Sequence, residues 1–188
     1  MAKVGVVSDR YDPHKVEERI KKYWSNNKIY EKIKEVNSRL SQEYIFIDGP
    51  PYPSSNIPHV GTAWNKAIKD VILRYRRLRG FKVHDQPGYD CHGLPIEVTV
   101  EKSLGIKSKR EIEEKVGVDR FIELCRSIVL KNIESMTFWF KELGVFMDWN
   151  RPYLTLNDSY IESGWKIIKK ADELGLLTNE ERIVYWCP

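Results

Sequence analysis

Apolar and polar positions along this chain follow two different periods, and each change of period marks an element. From Thr62 to Arg79 apolar residues recur at Trp64, Ala67, Ile68, Val71, Ile72, Tyr75 and Leu78. That repeat of about 3.6 predicts an amphipathic helix with those residues in the core and Gly80 as its stop. Upstream, YIFID at 44–48 is a short, nearly continuous apolar run ending at Gly49, the pattern of a strand buried on both faces. Downstream, FKVHDQ at 81–86 reads as a second strand. Strand, helix, strand at these lengths is a βαβ unit, so an α/β fold with parallel strands and a right-handed crossover is expected.

Helical signals fill the remainder. Near the amino terminus Asp12 reads as an N-cap with Pro13 at the first helical position, and Val16, Ile20 and Tyr23/Trp24 share a face until Asn26-Asn27. In the second half Ser108 and Glu111 have the spacing of a capping box. A long amphipathic helix is expected at about 118–143, before Gly144, and another at about 158–174, before Gly175. RIVYW at 182–186 reads as a strand. The chain contains no internal repeat and no low-complexity segment.

Between the first strand and its helix lies DGPPYPSSNIPHVGTAWN, residues 48–65. In an open parallel sheet, ligands bind beyond the carboxyl ends of the strands, where this segment falls. The helix start offers unpaired N–H groups and a positive dipole end, a seat for phosphate. Gly61 allows close approach of backbone to a ligand, Thr62 can cap the helix or donate its hydroxyl, and the prolines reduce the ordering entropy lost on binding. His59 stands two residues before the glycine, aimed at whatever occupies the helix end. Neither GxGxxG nor GxxxxGK[ST] is present. An equally simple reading is a proline-stiffened connection with an incidental histidine.

Composition narrows the class. With 41% hydrophobic residues among 188 the chain can build a core, and its formal charge of +4 permits a nucleic-acid partner without demanding one. The run RYRRLRGFK at 74–82 carries five cations, which suit a solvated helix end as readily as phosphates. Trp64 belongs to the apolar series, so core packing is expected of it rather than base stacking. Cys91, Cys125 and Cys187 form no disulfide framework. No apolar run approaches the length of a membrane span, and the first residues lack a signal-peptide core, so a cytoplasmic protein is expected. His84, Asp90, Cys91 and His92 are each competent zinc ligands, in a spacing that matches no ligand motif.

PHVGT resembles the HIGH signature of the class I aminoacyl-tRNA synthetases, in the HxGT form of some archaeal and eukaryotic members. DGPPYPSS before it, TAWNKAIKD after it and PGYDCHGLPIE at 87–97 together resemble the isoleucyl-tRNA synthetase family, over nearly the whole chain. The resemblance implies a Rossmann-like nucleotide-binding fold, ATP with Mg²⁺, and the partners isoleucine and tRNA(Ile), in a protein that acts as a monomer. His59 and Thr62 become the catalytic candidates, His59, Gly61, Thr62 and Asn65 would face ATP, and Gly49 and Pro50 would border the amino acid. Asp90 would accept the substrate ammonium. Many members carry a second histidine where this chain has Thr62.

The resemblance also implies what is missing. GIKSKRE at 105–111 comes too early to be the family's KMSKS loop, and the inserted editing domain and anticodon-binding helices are absent. The implied organisation is an amino-terminal helical extension at 1–43 followed by an incomplete first half of the catalytic domain at 44–188. By itself that piece is expected to adenylate weakly or not at all. Cys187-Pro188 would begin a zinc-binding CPxC, so Zn²⁺ is expected only in a longer enzyme. Two rivals remain: a nucleotidylyltransferase, which shares the tetrad and fold, and a non-catalytic ATP- or tRNA-binding module.

Overall fold

A computed structural model describes residues 10–186. Its order is α1 (Pro13–Asn26), α2 (Ile29–Ser38), β1 (Glu43–Ile47), α3 (Val60–Leu78), β2 (Lys82–Gln86), β3 (Gly88–Tyr89) and α4 (Leu94–Leu104). There follow a short α5 (Lys109–Glu111), a π-helical turn at Ile112–Val116, α6 (Val118–Glu142), β4 (Tyr153–Leu154) and α7 (Asp158–Glu173). The βαβ expectation holds: β1 and β2 pair in parallel from Glu43 opposite Lys82 to Ile47 opposite Gln86, with α3 between them. A second parallel pair joins β3 to β4, Gly88 opposite Tyr153. Asp12 caps α1, its side chain accepting from the Lys15 N–H at 3.3 Å.

The expected phase of α3 is reversed. Trp64 is 68% exposed, Val71 66% and Leu78 87%, whereas Lys66, Leu73 and Arg77 face inward. The inward face is charged because acids wait for it. Arg77 donates to Asp85 at 2.5 Å, Arg74 pairs with Asp70 at 2.6 Å, and Lys66 and Lys69 both meet Asp48. Tyr30 adds a hydroxyl donor to Asp85 at 2.7 Å. Of the cations at 74–82, Arg79 alone is exposed as a solvated helix end would be; the Arg74 guanidinium also lies 4.0 Å from the Phe146 ring centre and that of Arg76 4.8 Å from Tyr44's. Hydrophobic periodicity locates the apolar stripe but not the side that packs, and here paired charges take the inner side.

β1 is likewise covered on one face only. Tyr44 and Phe46 pack against Leu73, Val83, Val145 and Met147, while Ile45 and Ile47 stay 70% and 65% exposed. The larger core lies beside α6, where Val129, Ile133, Met136 and Phe140 meet Tyr89, Cys91 and Ile96. Two further expectations fail. Ser108 makes no side-chain cap, and Glu111 reaches past it to the Lys107 N–H at 3.2 Å, so there is no capping box. Residues 182–186 form no strand among the described residues, and their side chains are exposed.

Two stability predictions follow from the β3–β4 pair. A Cβ at Gly88 would stand 2.2 Å from the Tyr153 ring, so Gly88→Ala should lower stability by about 1–3 kcal/mol through overpacking; an unchanged urea midpoint would contradict this. Burial pushes the Tyr89 and Tyr153 phenols up to about 12 each, with Asp48 adding to the rise in both. An unfolded phenol ionises near 10. Below about pH 10 neither state loses these protons, whereas between about pH 10 and pH 12 the unfolded state loses them first and stability falls. A urea midpoint that stays level across that interval would exclude the effect.

Candidate active site

The loop between β1 and α3 is fastened by its carbonyl groups. Prolines have no N–H to satisfy, so the oxygens do the tying. The Pro51 carbonyl accepts from the Asp90 N–H at 3.1 Å, Pro53's from Asn132 on α6 at 2.8 Å, and Asn56's from the Ser135 hydroxyl at 2.6 Å. At the loop's start the Lys69 ammonium donates to the Gly49 carbonyl at 3.2 Å. Pro53 is fully buried. A connection at the strand ends is thus held by α3, by α6 and by the segment after β3.

At the loop's end the helix begins two residues before the expected start. His59, not Thr62, is the N-cap: its Nδ1 accepts from the Thr62 N–H at 3.3 Å, and its Nε2 lies 3.0 Å from the Thr62 hydroxyl. The imidazole is folded back over the first turn rather than aimed outward. Gly61 leaves it room, since a Cβ there would lie 3.0 Å from the ring's Cε1. The N–H groups of Val60 and Gly61, at the first two helical positions, have no acceptor within the helix. His59, Gly61 and Asn65 are exposed and Thr62 is half-buried.

Asp90 is half-buried where the chain leaves β3, its backbone tied to Pro51 and its carboxylate 3.5 Å from the Thr155 hydroxyl. Thr155, which also accepts from the Cys91 N–H at 2.8 Å and lies 3.4 Å from His92 Nδ1, gave no sequence signal. Gly49 and Pro50 sit at the loop's first positions, so the expected residues fall at its two ends and on the neighbouring turn. Among the described residues no three His, Cys, Asp or Glu side chains gather to hold a metal. His84 instead faces Glu43 at 3.4 Å. Cys187 lies outside the described residues.

Sequence reading missed the group beneath the loop. Asp48 is 1% exposed and binds two ammonium groups, that of Lys66, itself 1% exposed, and that of Lys69 at 2.7 Å. Burial pulls the Lys66 ammonium down, and Asp48 opposes that fall. A signal existed: one acid ends an apolar strand, and two lysines stand three residues apart on the following helix.

A model of the family described as tRNA synthetases class I (I, L, M and V) matches residues 19–188. The chain belongs to that family. Among class I synthetase relatives, an isoleucine–tRNA ligase of Sulfolobus acidocaldarius is 57% identical over 181 residues, 96% of this chain and 17% of the relative. One from Pyrococcus abyssi is 54% identical over 178 residues, 95% of this chain and 16% of the relative. One from Methanocaldococcus jannaschii is 50% identical over 188 residues, all of this chain and 18% of the relative. The chain thus spans about a sixth of the length of these relatives. A LeuRS–tRNA–LeuAMS complex from Agrobacterium radiobacter shares the fold, with a TM-score of 0.61 at 20% identity over 89% of this chain and 18% of that one. Among the described residues of this class I synthetase chain, no helix is long and apolar enough to cross a membrane.

Proposed function

We propose that the protein carrying this chain is an isoleucine–tRNA ligase of the cytoplasm, and that residues 49–65 with Asp90 form the half of its site that activates the amino acid. Isoleucine and ATP would give isoleucyl-adenylate and pyrophosphate, and the acyl group would pass to tRNA(Ile). The observation that carries this reading is a loop fastened between two potential subsites: the free N–H groups opening α3 at one end, and near the other the carboxylate of Asp90, a residue whose backbone N–H is tied to the Pro51 carbonyl. The names and identities of the archaeal relatives support isoleucine over other amino acids.

The chemistry suits these groups. An amino acid's carboxyl is ionised at neutral pH, its pKa being about 3.5, so its attack on the α-phosphorus requires no general base. A carboxylate oxygen forms the new bond to phosphorus, and the bond to the pyrophosphate oxygen breaks. In-line placement and charge stabilisation are what the protein must provide. In this proposal Val60 and Gly61 N–H groups and the α3 dipole face the phosphates, with His59, Thr62 and Asn65 around them. Asp90 holds the substrate ammonium through a charge-assisted hydrogen bond, and Gly49 and Pro50 border the side chain. Mg²⁺ would travel on the phosphates of ATP.

Isoleucine-dependent exchange of pyrophosphate into ATP by the whole protein tests the reading. Exchange only when isoleucine is present is expected. Nucleotide exchange indifferent to the amino acid would favour a nucleotidylyltransferase, and ATP binding without exchange a non-catalytic module.

A further inference from the structure

Every polar atom of Asp48 is taken, and its partners lie on three other elements, β2, β4 and α3. Its N–H donates to Gln86 on β2 at 3.0 Å, and its carbonyl accepts from the Tyr153 hydroxyl on β4. One carboxylate oxygen accepts from Lys66 and the other from Lys69 at 2.7 Å, and Lys69 continues to the Gly49 carbonyl at 3.2 Å. The Lys66 ammonium lies 5.0 Å from the Phe140 ring centre and 5.7 Å from that of Trp149. The second and third turns of α3 are thereby locked to the point where the chain leaves β1.

From this geometry we infer that Asp48, Lys66 and Lys69 form a positioning clamp, which fixes the Gly49–Pro50 rim relative to the α3 start and so sets the distance between amino acid and nucleotide. The inference rests on the adenylating function proposed above. A buried ion pair is a poor device for stability alone, because well-packed apolar residues in its place are often neutral or better. It is a good device for register. Its contacts are directional, and one change of length or charge shifts the Gly49 end of the loop relative to the helix that carries the nucleotide end. Lys69 completes the clamp by holding the carbonyl of the first loop residue, a glycine with no side chain of its own to anchor it.

The test uses pyrophosphate exchange by the whole protein with isoleucine and ATP varied separately. The Lys69 side chain is 18% exposed, so Lys69→Met should fold normally. It is expected to raise the isoleucine KM about tenfold, the equivalent of one hydrogen bond to a charged group, while the ATP KM moves less than about twofold by the same scale. Lys66→Met leaves Asp48 with one ammonium and is expected to lose both stability and activity. The double variant Asp48→Leu with Lys66→Met separates the causes: its thermal midpoint should recover toward the parent while its isoleucine KM stays raised. Recovery of KM together with stability, or a Lys69→Met enzyme with unchanged isoleucine KM, would overturn the clamp. A parent protein without isoleucine-dependent exchange would instead defeat the functional reading, and the clamp's role with it.

Discussion

Asp90→Ala in the whole protein is expected to raise the isoleucine KM by about 10- to 100-fold, the range for loss of a hydrogen bond between charged groups. The ATP KM should change far less. The reason is geometric: the Asp90 backbone is held by Pro51 and its carboxylate faces Thr155 at 3.5 Å, a long contact that leaves acceptor capacity for a substrate ammonium. Asp90→Asn tests the charge, because it keeps the size and one acceptor while removing the negative charge. It should resemble the alanine variant in KM. A normal isoleucine KM in either variant would remove Asp90 from the site.

His59→Ala is expected to slow adenylate formation by about 100-fold, the scale seen when one preorganised donor to a developing negative charge is lost. Isoleucine affinity should change little. Here the structure complicates the sequence reading, because His59 is also the cap of α3. Its removal frees the Thr62 N–H and should cost about 0.5–2 kcal/mol of stability. His59→Asn separates the two roles: asparagine is a good N-cap but has no imidazole, so stability should return and the rate should not. To engage phosphate the ring must leave its contacts with Thr62, both of its nitrogens being occupied there. Full rate in the asparagine variant, or equal loss of rate and isoleucine affinity in the alanine variant, would contradict the assignment.

Elements with a complete local signal were legible. Asp12-Pro13 marked α1, the βαβ core was readable from two apolar runs flanking a periodic helix, and Gly144 and Gly175 marked the ends of α6 and α7. What escaped depended on contacts distant in sequence. β3 and β4 are two residues each and lie 65 positions apart, so neither carries a pattern of its own. α2 follows Lys28, whose left-handed backbone (φ 49°) breaks the helical run without a glycine to announce it. α4 begins at Leu94-Pro95 after a positive-φ glycine, inside a stretch that reads as turns.

The same division holds at the site. The loop's place beyond β1 and the roles expected of His59, Gly61 and Asp90 came from short motifs. That His59 caps its own helix was not legible, since histidine is not among the favoured capping residues. Nor was the inward face of α3, because a rule that sends charges outward fails where buried acids face it, as Asp48 faces Lys66 and Asp85 faces Arg77. Lys66 looks like an ordinary surface charge, and the acid that ends the apolar run at Asp48 meets its partners only when strand and helix are brought together.

The most direct measurement is a crystal structure of the whole protein with isoleucine and a non-hydrolysable ATP analogue bound. The isoleucine ammonium is expected on the Asp90 carboxylate, its side chain beside Gly49 and Pro50, and the nucleotide phosphates at the N–H groups that open α3. Both ligands bound away from residues 49–65 and 87–93 would contradict the account.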